Sequence, residues 1–149
     1  MEDAEIQRRV NEALEMLVAK DSFLLVNDAG ERTIAARLAC YMVPLFPDHD
    51  VDVEYNRHGV DSKRAMLPPG CRTGGDRLVY PDIVVHHRGD DRDNLLVVEL
   101  KKTTNNEPRD CDFAKIAALK EQYGYTAGVF IEMPAGRAAT TTRPLQTWL

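Results

Sequence analysis

The stretch LLVVELK at residues 95–101 decides the fold of this chain. Its consecutive apolar residues predict a strand that is buried on both faces, and such a strand needs a covering layer on each side. Helices are the natural cover, so the sequence predicts an α/β domain with a small central mixed sheet flanked by helices. Glu99 and Lys101 place ionisable groups at the end of this strand, where a charge needs a partner or a chemical role.

The preceding apolar run, residues 78–87, holds a second carboxylate, Asp82, directly before its most apolar part. The connection at residues 88–93 is charged and contains a glycine, which suits a hairpin and predicts antiparallel neighbours. In that pairing Asp82 and Glu99 can meet on one face of the sheet. Lys101 shares this face because side chains alternate along a strand, and two residues span about 6.6 Å.

Carboxylates that converge on one face repel each other unless a cation lies between them. Hard oxygen ligands favour Mg²⁺ or Mn²⁺ over zinc, and the carbonyl of Leu100 can supply a further ligand. A divalent ion polarises a phosphoryl oxygen and activates a water, and the Lys101 ammonium is placed to orient that water. The alternative is a purely structural ion pair between Glu99 and Lys101 at the edge of the sheet.

The other predicted elements keep the α/β order. They are a lead helix over residues 4–19, a second helix from about residue 30 to Pro44, a strand at 51–55, a helix from about Asp112 to Gly124, and a strand at 126–133. Glu31 lies on the apolar stripe of the second helix, where it either faces inward for a function or simply favours the helix dipole.

We expect a single domain over residues 1–149, with the lead helix at 1–20, a core at 31–133 and a tail at 134–149. The tail shows no clear period. Trp148 therefore either packs on the body of the domain or belongs to a mobile segment.

Residues 56–77 carry Pro-Pro-Gly and Gly-Gly, which predicts a long loop that interrupts the domain. The segment is positive although the whole chain has a formal charge of −5. Its basic residues are Arg57, Lys63, Arg64, Arg72 and Arg77. We expect them to contact the phosphates of a polyanion, and a mobile insertion with incidental charge is the alternative.

Composition limits the classes of protein. Lys and Arg total 19 against 24 Asp and Glu, which excludes a histone-like polycation. Cys40, Cys71 and Cys111 form no CxxC pair, so we expect reduced thiols in a cytoplasmic protein rather than a disulfide framework or a Cys-rich zinc site. The start of the chain is acidic, and no apolar run reaches the ~18 residues of a membrane span, so we expect neither a signal peptide nor a membrane partner.

The histidines give weaker signals. His86 can touch the Asp82 site from two residues along the strand, or it is simply a half-exposed histidine at a strand end. His49 lies in a turn between Asp48 and Asp50 and has no second histidine at a useful offset, so we expect no metal site there.

Pro81-Asp82, sixteen residues and then Glu99-Leu100-Lys101 resembles the motif of the PD-(D/E)XK nuclease superfamily. The order of helix, three strands, helix and strand that such nucleases share is matched from Glu31 to about Met133, roughly two-thirds of the chain. The resemblance implies a restriction-endonuclease-like core.

The resemblance also implies roles for individual residues. Asp82 and Glu99 correspond to the metal-binding acids, Lys101 to the catalytic lysine, and Glu31 to an acid that many members contribute from the first core helix. The second core helix of such nucleases often offers a Lys or Gln to the scissile phosphate. Lys115, Lys120 and Gln122 compete for this role, and we favour Lys120 because it lies on an apolar stripe of the helix.

The implied function is a nuclease that hydrolyses phosphodiester bonds with Mg²⁺ or Mn²⁺, with DNA preferred to RNA and an endonuclease preferred to other modes. A homodimer or a larger nuclease, defence or repair complex are the protein partners we expect. Because the chain is acidic, affinity for nucleic acid should come from local contacts and fall with salt. The alternative is a non-catalytic nucleic-acid-binding or interaction subunit on the same fold, against which the intact set of Asp82, Glu99 and Lys101 argues.

Overall fold

The computed structural model describes residues 1–58, 61–71 and 75–149, and in the case of His58 and Arg77 only the backbone. The α-helices are α1 (Asp3–Lys20), α2 (Ser22–Val26), α3 (Glu31–Met42) and α4 (Asp110–Tyr123), with 3₁₀ turns at Val43–Leu45 and Gly136–Thr140. The strands are β1 (Asp50–Val53), β2 (Arg57–His58), β3 (Asp61–Ser62), β4 (Arg64–Leu67), β5 (Gly75–Leu78), β6 (Ile83–His86), β7 (Leu96–Lys102), β8 (Ala127–Met133) and β9 (Leu145–Trp148).

The central sheet has the strand order β1-β6-β7-β8-β9. Pairing is antiparallel except between β7 and β8, which run parallel. A parallel pair needs a long crossover, and α4 supplies it. The α/β class and the mixed sheet are therefore confirmed.

The central strand β7 is covered on both faces, as its apolar run predicts. Leu96, Val98 and Leu100 face the core formed with α1 and α3, whereas Val97 faces Ile116 and Leu119 of α4. Glu99 and Lys101 share the parity of Val97, so they point to the α4 side of the sheet.

A glycine sets how closely α4 approaches the sheet. A Cβ atom added at Gly128 of β8 would lie 2.3 Å from Cγ2 of Ile116. The missing side chain lets α4 lie close against β8, and the helix ends at Gly124, whose φ of +69° suits a left-handed C-cap.

The tail does not lack structure. Residues 145–148 form β9, which pairs antiparallel with β8 at the edge of the sheet, and the partly buried Trp148 packs against the main core. Of the two alternatives predicted for Trp148, the structure therefore shows packing on the body of the domain. The sequence shows no period here because four residues are too few to reveal one.

The expected loop at residues 56–77 was also wrong. β2 pairs with β3 and β4 pairs with β5, each antiparallel, and Ala65 of β4 is fully buried. The single strand expected over residues 78–87 is divided, because β5 belongs to this small hairpin and β6 to the central sheet. Pro68, Pro69 and Gly70, which indicated a loop, lie between β4 and β5.

A disulfide joins Cys71 to Cys111, so the expectation of three reduced thiols was wrong. Cys71 follows β4 and Cys111 lies in the first turn of α4. Sequence spacing does not show which distant cysteines meet. Cys40 is free and exposed.

None of the described helices combines the length and the apolar character needed to cross a lipid bilayer.

Candidate functional site

A cleft of about 680 Å³ opens where the end of β7 meets the starts of β6, α3 and α4. Its lining includes Glu31, Asp82, Glu99 and Lys101, the residues that the sequence predicts to be catalytic. The cleft also presents the disulfide cysteines and several further charged side chains.

Asp82 and Glu99 meet through the antiparallel register of β6 and β7. Ile83 lies opposite Val98, so Asp82 and Glu99 are the next pair along the two strands. The backbone N–H of Asp82 donates to Oε1 of Glu99 at 3.3 Å, and the backbone N–H of Leu100 donates to Oδ2 of Asp82 at 2.8 Å. The predicted convergence of the two carboxylates is confirmed.

Lys115 supplies positive charge next to these acids. Its Nζ lies 2.9 Å from Oε1 of Glu99 and donates to the carbonyl of Tyr80 at 2.7 Å. The Glu99 side chain is only 3% exposed. Burial raises the pKa of Glu99, and the neighbouring Asp82 carboxylate raises it further against the opposing effect of Lys115. Burial likewise raises the pKa of Asp82.

Lys101 pairs with α4 rather than with Glu99. Its Nζ lies 3.1 Å from Oδ2 of Asp112 and 3.4 Å from Oε2 of Glu107. Burial acts to lower the pKa of Lys101, but the carboxylates of Asp112 and Glu107 together outweigh it, so the pKa is raised and the ammonium stays charged. The described residues contain no ion pair between Glu99 and Lys101, and the structural alternative considered for them is wrong.

Glu31 reaches the cleft from the first residue of α3. Its Oε1 accepts hydrogen bonds from the backbone N–H of Lys102 at 3.0 Å and from Nδ2 of Asn105 at 2.8 Å. These contacts tie the start of α3 to the end of β7. Of the two alternatives predicted for Glu31, the structure therefore shows a side chain that faces inward to the cleft.

The chain matches no protein-family model, no curated protein and no solved structure. What the cleft can do chemically therefore rests on its own residues.

The donor set of the cleft suits a hard divalent cation. The charged side chains of its lining comprise six acids and three bases, Glu31, Arg32, Glu54, Asp82, Glu99, Lys101, Glu107, Asp112 and Lys115. This excess of carboxylate oxygen is the ligand type that Mg²⁺ and Mn²⁺ prefer. Asp82 and Glu99 could hold such an ion, and the predicted contribution of the Leu100 carbonyl stays a prediction.

Lys63 does not serve as a phosphate contact. Its side chain is fully buried, its Nζ donates to the carbonyl of Arg57, and it lies 5.0 Å from the centre of the Tyr55 ring. Burial lowers its pKa to about 8. The prediction failed because a lysine in a hairpin packed under aromatic rings looks, in sequence, like a lysine in a loop.

The arginines of this segment that the structure describes lie outside the cleft. Arg57 is exposed and donates to Oγ of Ser62 at 2.6 Å, while Arg64 is half exposed and pairs with Asp76 at 2.9 Å. Neither lines the cleft. Arg72 and the side chain of Arg77 lie outside the described residues.

The choice of Lys120 on the second core helix was wrong. Its Nζ donates to the carbonyl of Leu149 and the residue does not line the cleft, whereas Lys115 does. Asp112 was not recognised at all. The signal was present, since Asp112 and Lys115 are three residues apart in the first turns of a helix and so lie on one face.

His86 does not reach the cleft. Its Nε2 lies 2.9 Å from Oδ2 of Asp52, and its ring packs edge-on against Tyr55. The role considered for it next to Asp82 was wrong.

Proposed function

We propose that the chain is a restriction-endonuclease-like nuclease that hydrolyses phosphodiester bonds in DNA with the help of Mg²⁺ or Mn²⁺. The observation that carries the proposal is the convergence of Glu31, Asp82, Glu99 and Lys101, from separate parts of the chain, on one charged cleft. Buried acids grouped with lysines are costly to a fold, and a group of this kind in a cleft is the pattern expected of a catalytic site.

Asp82 and Glu99 are the residues that would hold the cation. When bound, the ion lowers the pKa of a coordinated water and polarises a phosphoryl oxygen. Glu31 reaches the end of β7 from α3, where it would help to hold the ion directly or through a water. A divalent cation held by Glu99 would compete with the Lys115 ammonium, which already pairs with this carboxylate.

Lys101 has the position of a group that orients the attacking water. Asp112 fixes the ammonium of Lys101 and keeps it charged, so it can donate a hydrogen bond to the water oxygen and stabilise the negative charge that develops there. In this scheme Asp112 is a positioning residue and does not itself touch the substrate.

DNA binding must overcome the overall charge of −5. Arg57 is exposed on the small hairpins, and Lys115 and Arg32 lie in the lining of the cleft. Affinity therefore depends on a few local cations and on the bound metal, and we expect it to fall with ionic strength in proportion to that small number of contacts.

The deciding experiment incubates the purified protein with linear, branched and single-stranded DNA and with RNA, in Mg²⁺, Mn²⁺ or EDTA. We expect metal-dependent cleavage that Asp82→Asn and Lys101→Met each reduce by at least about 100-fold. Glu121→Gln, on an exposed part of α4 outside the cleft, is the matched control and should cleave normally.

Cleavage that persists in EDTA, or that survives both substitutions, would overturn the proposed mechanism. Tight binding of DNA without cleavage in any metal would replace it with the non-catalytic binding subunit.

A further inference from the structure

A second group of metal-binding side chains lies at the opposite end of the sheet from the cleft. His49 belongs to the turn before β1, His87 follows β6 directly, and Asp93 lies in the connection between β6 and β7. Asp82 precedes β6 and His87 follows it, so five residues, about 16 Å of extended strand, separate the group from the cleft.

The side chains of this group face one another closely. Nε2 of His49 lies 2.8 Å from Oδ2 of Asp93, and Nε2 of His87 lies 3.4 Å from the same oxygen. One ligand atom from each residue falls within 4.8 Å of the other two. The imidazole rings stack with centroids 4.7 Å apart and planes 16° apart, so the two rings lie face to face.

This donor set differs from that of the cleft. Two imidazole nitrogens and one carboxylate oxygen suit Zn²⁺ and its first-row neighbours, whereas the all-oxygen set near Asp82 suits Mg²⁺. Three protein ligands leave at least one position of a tetrahedral ion to water.

The burial of the three residues fits a site that can close on an ion. Tetrahedral Zn²⁺ with bonds of about 2.0–2.1 Å needs ligand atoms roughly 3.4 Å apart. The His49 side chain is only 8% exposed and so is a fixed anchor. His87 and Asp93 are 42% and 49% exposed, which leaves them free to make the small rotations that bring the ligand atoms to this spacing.

We propose that His49, His87 and Asp93 form a binding site for Zn²⁺ or a similar transition metal, separate from the cleft. The ion would cross-link the turn before β1 to both ends of the hairpin connection that joins β6 and β7. The ion would hold edge strand β1 against the sheet, and a water would complete its coordination. Sequence reasoning missed the site because His49 and His87 are far apart along the chain.

The test is a titration of the full chain with Zn²⁺, monitored by the imidazole ¹⁵N resonances and by calorimetry. Cys40→Ser is carried in every sample, because the exposed thiol of Cys40 can bind zinc by itself. We expect one equivalent of Zn²⁺ to shift the ring nitrogens of His49 and His87 and to raise the melting temperature.

His87→Gln and Asp93→Asn should each lower the affinity at least about tenfold, because removing a ligand should cost no less than removing a hydrogen-bond partner of a ligand, which typically costs about 10–100-fold. Both side chains are partly exposed, so these variants should fold. Asp90→Asn in the same connection and Asp82→Asn in the cleft are the controls and should bind Zn²⁺ as the parent does.

The proposal would be overturned if Zn²⁺ bound without shifting the ring nitrogen resonances of both histidines, or if its affinity were unchanged in His87→Gln. Absence of binding at micromolar Zn²⁺ would do the same, and would leave the group as a hydrogen-bonded cluster of two histidines and an aspartate.

Discussion

Lys115 of α4 reaches over the sheet and places its Nζ 2.9 Å from Oε1 of Glu99 at the end of β7. Among the ion pairs described in the cleft this one has the shortest distance between charged atoms, and its carboxylate on the central strand is buried. It links the helix that crosses over the sheet to the strand that carries the predicted motif. Lys115 is therefore both a counterion for the buried acids and a competitor of any cation that they bind.

The first prediction concerns the stability that this pair provides. Lys115→Met should lower the free energy of unfolding by about 3–5 kcal/mol at pH 9, above the Glu99 pKa of about 8, because it leaves a buried carboxylate without its partner. The loss should be smaller at pH 5, where Glu99 can take up a proton. Urea unfolding at both pH values measures it. Lys120→Met is the control and should have little effect, because the Lys120 ammonium donates to the carbonyl of Leu149 outside the cleft.

The second prediction follows from the raised pKa of Glu99. An acid whose pKa is higher in the folded than in the unfolded protein binds more protons when folded, so its contribution to stability falls as pH rises above 4.5, its ordinary pKa. Glu99→Gln should remove this slope. The difference in the free energy of unfolding between the wild type and the variant, measured with urea, should change by at least about 1 kcal/mol between pH 5 and pH 8. A difference independent of pH would contradict the assignment.

The third prediction tests the bond between Cys71 and Cys111. Unreduced protein should show one reactive thiol after denaturation, and three after reduction. Reduction should lower the free energy of unfolding by about 2–4 kcal/mol, the usual contribution of a disulfide. Cys40→Ser should change neither the bond nor the stability. Three reactive thiols in the unreduced, denatured protein would show that the disulfide does not form.

The fourth prediction tests the close approach of α4 to β8. Gly128→Ala should cost about 1–3 kcal/mol, because the new methyl group would overlap Cγ2 of Ile116. Ile116→Leu removes that methyl group and should restore part of the loss in the double variant. Ile116→Leu alone is the control, since it shows what the change at residue 116 costs while Gly128 is still present. Urea unfolding of the four proteins measures all of these effects.

The meeting of Asp82 with Glu99 could be predicted because it depends on local pattern alone. A charged connection with a glycine predicts a hairpin, and the hairpin register places the two acids side by side. The partners of Glu99 and Lys101 could not be predicted in the same way. They depend on how closely α4 packs against the sheet. Gly128 sets this approach, and it is far along the chain from Glu99 and Lys101.

The small hairpins and β9 escaped prediction for a different reason. Strands of two to four residues are too short for a period, and the pairing of Leu145 with Glu132 brings together segments that sequence patterns treat separately. The contact between Cys71 and Cys111 and that between His49 and His87 are likewise tertiary. Each depends on the folded sheet rather than on spacing along the chain.

Asp112 and Lys115, both in the first turns of α4, hold opposite charges on β7, since Asp112 contacts Lys101 and Lys115 contacts Glu99. One residue of helix corresponds to about 1.5 Å of rise and 100° of rotation. An insertion or deletion of a single residue inside α4, between Asp112 and Lys115, would therefore turn one of the two side chains by about 100° away from its partner on β7. The three-residue spacing of this acid and this base is as much a part of the site as their charges.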